Sequence, residues 1–103
     1  MKIISPAQLK KIKDDPNLFL LDVREIDEVK CTPMKDMPYI HIPMNDISIR
    51  LSEIDKEKHI VIFCLSGGRS ARICGFLEAE GYKNISNLTG GITAWLQHVT
   101  ISD

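Results

Sequence analysis

Hydrophobic residues along this chain fall into short runs separated by polar turns. The runs Leu18–Val23 and His59–Cys64 are nearly continuous, and the second is rich in β-branched residues. Such runs are typical of strands that are buried on both faces, as in a parallel sheet. Shorter runs predict two further strands, at Tyr39–Pro43 and Ile85–Leu88.

Helical signals lie between these strands. Ser5, Pro6 and Gln8 form a capping pattern that predicts a helix running to about Lys13. After the Tyr39–Pro43 strand, apolar side chains repeat at helical spacing; these are Ile47, Leu51 and Ile54.

Two more helices are predicted in the second half of the chain. One runs from Arg69 to about Glu80, with Gly81 placed for a left-handed C-terminal cap. The other follows Gly90-Gly91 and is centred near Trp95. Strands that alternate with helices predict an α/β fold, with a mostly parallel sheet covered by helices on both faces. The 103 residues are the length of one domain, so we expect residues 1–103 to form a single unit.

Composition narrows the classes of function. The formal net charge is −1, so no overall field attracts nucleic acid or an anionic membrane. No secretory signal or membrane-spanning run is visible, which predicts a cytoplasmic protein. The cysteines Cys31, Cys64 and Cys74 are odd in number and form no Cys-x-x-Cys pair, as expected of reduced thiols. They share no ligand spacing with the histidines, so we expect neither a metal nor another bound cofactor.

Cys64 stands where ligands collect in open α/β sheets, at the carboxyl end of the strongest predicted strand. The glycines Gly67 and Gly68 allow the following backbone to point several amides at one spot. The next helix adds the positive end of its dipole. Together these groups would lower the pKa of the Cys64 thiol, which is how a cysteine nucleophile is activated.

Arg69 supports this interpretation because a cation in the first turn of a helix opposes the dipole. The cost is roughly 0.3–1 kcal/mol unless an anion lies nearby. A charged sulfur or a bound oxyanion would reverse that sign, and the guanidinium fork suits a tetrahedral anion.

Each feature alone has a simpler explanation. A single cysteine after an apolar strand is usually an inert core residue, and a Gly-Gly pair is often a tight turn. Their occurrence together within the seven residues 64–70 favours a functional site.

The run Cys64-Leu65-Ser66-Gly67-Gly68-Arg69-Ser70 resembles the active-site loop of the rhodanese family, Cys-x-x-Gly-x-Arg-Ser/Thr. Leu21-Asp22-Val23-Arg24-Glu25 resembles the family's Asp-Val-Arg turn, and residues 87–95 resemble its closing Gly-Gly-x-x-x-Trp segment. The resemblance spans about residues 3–97 and implies a five-stranded, mostly parallel sheet flanked by helices.

The resemblance also implies an activity. In this family the loop cysteine takes sulfane sulfur from thiosulfate or a similar donor and passes it to cyanide or a thiol. By position, Cys64 would be the nucleophile and persulfide carrier, and Arg69 would bind the anionic donor. The substrate-binding loop would comprise Leu65, Ser66, Gly67, Gly68, Arg69 and Ser70.

Two residues outside the loop are predicted to support it. We expect Asp22 to accept hydrogen bonds from the loop backbone and Arg24 to pair with a carboxylate such as that of Glu28. Cys74 is expected to be a core residue, and Cys31 to lie in an irregular, exposed segment. The family's Gly-His-Ile-Pro-Gly-Ala-like stretch is absent, and His41 lies too near its strand to take over the role of the loop histidine.

Three alternatives stay open from the sequence. The first is a persulfide relay to a protein partner, which would use the same loop. The second is phosphatase or arsenate reductase chemistry, which resembling folds perform with a loop one residue longer. The third is a non-catalytic interaction module, as in relatives that lack the cysteine. The presence of Cys64 and its short loop favours sulfur transfer over the last two.

Overall fold

A computed structural model describes residues 1–102 of the chain. Its strands are β1 (Lys2–Ile4), β2 (Leu18–Asp22), β3 (Ile40–His41), β4 (His59–Phe63) and β5 (Ile85–Leu88). Its α-helices are α1 (Pro6–Lys11), α2 (Ile26–Cys31), α3 (Gly68–Ala79) and α4 (Gly91–Ser102). Two short 3-10 helices, Met44–Asp46 and Leu51–Glu53, lie between β3 and β4.

The five strands form one sheet in the order β1-β5-β4-β2-β3. Every neighbouring pair is parallel, including the central pair in which Leu20 lies opposite Val61. The predicted α/β fold is therefore confirmed, with a sheet that is parallel throughout.

Alternation along the central strand divides the core into two halves. One half contains Ile60, Ile62 and Cys64, packed with Ile73, Cys74 and Leu77 of α3. The other contains Val61 and Phe63, packed with Leu9 of α1 and with Ile92, Trp95 and Val99 of α4. Helices therefore cover both faces, and Cys64 lies on the face that α3 covers.

Two short elements escaped the sequence pattern. Strand β1, of three residues, pairs with β5 at the sheet edge. Helix α2 has six residues, of which only Val29 is buried, so it shows no apolar stripe. Because α2 ends at Cys31, the prediction that Cys31 lies in an irregular segment was wrong, although its thiol is exposed.

The region between β3 and β4 differs from the prediction as well. Ile47 and Ile54 are buried as expected, but they flank two 3-10 turns rather than lying on one continuous helix. Helix α1 ends at Lys11, about half a turn early, and β3 is limited to two residues. Gly81 has a φ of 93° after α3, which confirms its predicted left-handed cap.

The longest helices, α3 and α4, have 12 residues each. Spanning a bilayer takes about 20 residues. Within residues 1–102, no helix is both long enough and apolar enough to cross a membrane.

Candidate active site

The first turn of α4 holds the end of β4 in place. The backbone amide of Ile92 donates to the carbonyl of Cys64 at 2.9 Å, and that of Thr93 donates to Leu65 at 3.2 Å. Gly91 permits this close approach, because a Cβ on it would lie 2.5 Å from the Leu65 carbonyl oxygen. The closing Gly-Gly segment therefore supports the loop that follows Cys64.

Gly67 turns this loop back over the sulfur of Cys64. Its φ of 116° lies in the left-handed region that favours glycine. Its amide donates to Cys64 Sγ at 3.1 Å, and the amide of Ser70 donates to the same sulfur at 3.4 Å. Since α3 begins at Gly68, the positive end of its dipole adds to these donors.

These contacts change the acidity of the Cys64 thiol. Burial acts to raise its pKa, but hydrogen bonds from the Ser70 side chain and from the backbone of Ser70, Gly67 and Ser66 outweigh burial. The net effect is a pKa below the ordinary thiol value. Cys74, one turn after Ser70 on α3, shows the opposite effect, because burial raises its pKa to about 12.

The hydroxyl of Ser70 connects the sulfur to strand β5. It lies 3.4 Å from Cys64 Sγ and donates to Oδ1 of the buried Asn87. The Asn87 Nδ2 group donates to the Gly67 carbonyl at 3.1 Å, which fixes the orientation of the amide. The Asn87 side chain thus holds Gly67 and Ser70 of the loop against strand β5.

The positive charge of Arg69 is balanced by a carboxylate of the same chain. Its two terminal nitrogens each donate at 2.7 Å to one oxygen of the Glu28 carboxylate on α2. These hydrogen bonds lower the pKa of Glu28 to about 2, against the opposing effect of burial. The sequence predicted a charged sulfur or a bound oxyanion beside Arg69, whereas the guanidinium binds the Glu28 carboxylate of the same chain.

Asp22 and Arg24 form a buried ion pair below the loop. Asp22 accepts hydrogen bonds from the Arg24 backbone amide and from its guanidinium, at 2.8–3.2 Å. Both side chains are completely buried. The prediction that Asp22 accepts from the Cys64 loop was wrong, since these bonds come from Arg24.

Arg24 pairs with a carboxylate, as predicted, but with that of Asp22 rather than that of Glu28. Arg24 donates to the backbone carbonyl of Glu28 at 3.3 Å, while the Glu28 carboxylate binds Arg69. Arg24 further lies over the ring of Phe63, with 5.7 Å to the ring centroid. Arg24 therefore anchors α2 to the sheet, and α2 in turn holds Arg69.

The other predicted loop residues contact Cys64 less directly. Leu65 and Ser66 are exposed at the tip of the loop, and Gly68 is exposed at the start of α3. Cys74 belongs to the core, as expected. Cys31 lines a groove together with Leu65 and Glu28, so an exposed thiol lies beside the loop.

Asn87 is the site residue that sequence reasoning missed. The signal was an amide side chain near the end of a buried strand, followed by Thr89-Gly90-Gly91. A buried amide needs hydrogen-bond partners, and at the carboxyl end of β5 those partners lie in the neighbouring loop.

A parallel sheet, with a cysteine at its carboxyl edge whose sulfur accepts hydrogen bonds from backbone amides, defines the class of α/β protein to which this chain belongs. Within that class, the model of the rhodanese-like domain matches residues 5–98. The chain belongs to the rhodanese-like domain family.

Individual relatives are similar over nearly their whole length. A sulfurtransferase of Allochromatium vinosum is 37% identical over 97 residues, covering 94% of this chain and 89% of that protein. The putative sulfurtransferase YtwF of Bacillus subtilis is 42% identical over 96 residues, covering 92% and 90%. The crystal structure of a rhodanese-related protein from Thermoplasma volcanium superposes with a TM-score of 0.82 at 28% identity, covering 95% and 93%.

Proposed function

We propose that this protein is a sulfurtransferase that carries sulfane sulfur as a persulfide on Cys64. The donor is thiosulfate or an organic persulfide, and the acceptor is a thiol or cyanide. The family and the sulfurtransferase names of its relatives support transfer of sulfur in general. The role of Cys64 rests on the geometry of its loop.

One observation carries this proposal: Cys64 Sγ accepts hydrogen bonds from two backbone amides, those of Gly67 and Ser70, at the start of α3. Such donors favour the thiolate, which is the nucleophilic form of cysteine. They also suit the terminal sulfur of a persulfide, because that sulfur is likewise anionic. An inert core cysteine such as Cys74 lacks this arrangement and has a raised pKa.

The chemistry is an exchange at sulfur without net oxidation. The Cys64 thiolate attacks the outer sulfur of the donor, a new S–S bond forms, and the donor's S–S or S–sulfonate bond breaks. The leaving group departs with the electron pair, as sulfite from thiosulfate or as a thiolate from an organic persulfide. An acceptor thiolate or cyanide then attacks the outer sulfur and regenerates the Cys64 thiolate.

The burial of Cys64 constrains how a donor approaches. The residue exposes 1% of its surface, so side chains at the mouth of the loop must shift before sulfur can reach Sγ. We infer that the terminal sulfur of a donor reaches the amides of Gly67 and Ser70 and that the remainder of the donor stays outside the loop. Arg69 interacts electrostatically with Cys64, but both of its terminal nitrogens bind Glu28, so we assign to it the holding of α2 beside the loop rather than the binding of an anionic donor.

The remaining residues take structural roles in this proposal. The loop residues Leu65, Ser66, Gly67, Gly68 and Ser70 surround the transferred sulfur. Asp22 and Arg24 hold α2, and with it Glu28, against the sheet.

Intact-protein mass spectrometry tests the proposal. The reduced protein is incubated with thiosulfate or with cysteine persulfide, and cyanide is then added. We expect one added sulfur on the wild type and on Cys31→Ser, none on Cys64→Ser, and thiocyanate after cyanide. Retention of the added sulfur in Cys64→Ser would contradict the assignment.

We further propose that the protein works in the cytoplasm and passes sulfur to a small thiol or to a protein acceptor. The three cysteines are all unpaired, and a reducing compartment keeps thiols in that state. Fractionation of cells that express a tagged chain tests the location.

A further inference from the structure

We propose that the preferred donor is the persulfide of an uncharged or cationic organic thiol, bound along the groove between α2 and the Cys64 loop, rather than the thiosulfate dianion. This inference rests on the proposed persulfide chemistry of Cys64 and names the class of substrate that the site takes.

The charge at the mouth of the loop disfavours a small dianion. The loop amides serve one anionic sulfur, and a second negative charge is favoured only where the charge of a cation is available. Arg69 is the cation nearest to Cys64 along the chain. Both of its terminal nitrogens are taken by Glu28, at 2.7 Å each. Because the pKa of Glu28 is held at about 2, that carboxylate stays ionised at neutral pH and cancels the positive charge.

Neighbouring residues make the balance negative rather than neutral. Asp27 is exposed on the first turn of α2 and lines the groove together with Glu28. Glu25, the N-cap residue of α2, interacts electrostatically with Arg69. The second arginine of the site, Arg24, is buried and paired with Asp22. Arg72 of α3 is exposed but is not among the residues that line the groove. Thiosulfate would therefore approach against an excess of negative charge.

A groove beside the loop offers apolar surface to an organic donor. It has a volume of about 330 Å³ and is lined by Arg24, Asp27, Glu28, Cys31, Thr32 and Leu65. Its walls are mainly apolar, and Leu65, the residue after Cys64, leaves 47% of its surface exposed there. Burying the methylene groups of a ligand against such a wall favours binding. Thiosulfate has no carbon to use this surface, whereas an organic thiol does.

The groove also places the leaving group. The outer sulfur of R–S–SH enters the loop, and the R group stays in the groove beside Leu65. The Cys64 thiolate attacks the outer sulfur, a new S–S bond forms, and the S–S bond of the donor breaks as R–S⁻ leaves with the electron pair. The outer SH of Cys64–S–SH then loses its proton to solvent, giving the anionic persulfide beside the loop amides. Atoms and charge balance, and no external oxidant or reductant is needed.

A charge series of donors tests the inference on the wild-type site. Rates of sulfur addition to Cys64 are measured in the wild type with cysteamine persulfide, 3-mercaptopropionate persulfide and thiosulfate, and peptide mapping by mass spectrometry separates sulfur on Cys64 from sulfur on the exposed Cys31. Each rate is divided by the rate of the same donor with free cysteine, which corrects for intrinsic reactivity. We expect the cationic persulfide to exceed the anionic persulfide and thiosulfate by about ten-fold at low ionic strength.

The variant Glu28→Gln tests whether the charge of Glu28 sets the preference among donors. It frees the charge of Arg69, so the normalised rate for thiosulfate should rise about ten-fold relative to cysteamine persulfide. Glu53→Gln is the matched control, because Glu53 forms an equivalent two-bonded pair with Arg50. That pair lies beside Tyr82, beyond the far end of α3.

The outcomes separate the two proposals. Absence of sulfur on Cys64 with every donor would overturn the proposed function itself. Sulfur loading that is equal across the charge series, or fastest with thiosulfate, would overturn this inference and leave the function standing. The wild-type series gives this answer even if Glu28→Gln does not fold.

Discussion

The hydroxyl of Ser70 lies between the sulfur of Cys64, at 3.4 Å, and Oδ1 of Asn87. A hydroxyl has one proton to donate. When it donates to Asn87, it can accept from the Cys64 thiol, and when it donates to the sulfur, it stabilises the thiolate. Ser70 can therefore serve both protonation states of Cys64, and when the sulfur is protonated the proton of the Ser70 hydroxyl goes to Asn87 Oδ1 or to the Gly67 carbonyl at 3.1 Å.

Replacing Ser70 by alanine should raise the pKa of Cys64. The Ser70 hydroxyl opposes the effect of burial, so its removal leaves less thiolate at neutral pH. The measurement is the rate of iodoacetamide alkylation against pH in a Cys31→Ser background, where Cys74 stays unreactive because its pKa is about 12. Ser70→Thr keeps the hydroxyl and should retain the wild-type profile, whereas an unchanged profile in Ser70→Ala would contradict this role.

The Glu28–Arg69 pair should make stability depend on pH in the acid range. The folded pKa of Glu28 is about 2, below its ordinary value of 4.5, so folding favours the ionised carboxylate. Its contribution is complete above pH 4.5 and is lost as the pH falls towards 2. Because both side chains keep 31% of their surface in water, we expect about 1 kcal/mol rather than the full conversion of the shift.

Urea unfolding of wild type and Glu28→Gln at a series of pH values checks this expectation. The difference in the free energy of unfolding should be constant near neutral pH and shrink below pH 4.5. Glu53→Gln, on the surface pair with Arg50, should show a smaller difference. A gap between wild type and Glu28→Gln that grows on acidification would refute the assignment.

Asp22→Asn should destabilise the protein by about 3–5 kcal/mol, because it leaves the fully buried Arg24 without its anion. Urea unfolding at neutral pH measures the loss. The double variant Asp22→Leu/Arg24→Met is the control, since it removes both charges and should recover much of the stability. Because Asp22 binds Arg24 rather than the loop, the folded Asp22→Asn protein should still load sulfur onto Cys64.

Gly91→Ala should disturb the end of β4. Its φ of 60° disfavours a side chain, and the added Cβ would lie 2.5 Å and 2.6 Å from the backbone oxygens of Leu65 and Cys64. We expect a loss of at least about 2 kcal/mol in unfolding free energy. Gly68→Ala is the matched control, because its Cβ meets open space at the start of α3 and should stabilise by about 0.5–1 kcal/mol. Equal stability of the two variants would argue against the steric role of Gly91.

Much of the fold and the centre of the site followed from local sequence. The β-branched run ending at Cys64 predicted the central strand, and the glycines after it predicted a loop of inward amides. Both depend on neighbouring residues alone, because strand burial and left-handed backbone leave local signatures. The structure places the amides of Gly67 and Ser70 on the sulfur.

Tertiary structure decided which side chains meet around that loop. Glu28 binds Arg69 across 41 residues of sequence, and Asn87 binds Ser70 across 17. Helix α2 and strand β1 are too short to show a periodic pattern, and their places depend on packing against the sheet. Local sequence thus determined the position of Cys64 and the course of its loop. The charge beside the loop was decided by long-range pairing, which spacing along the chain cannot reveal.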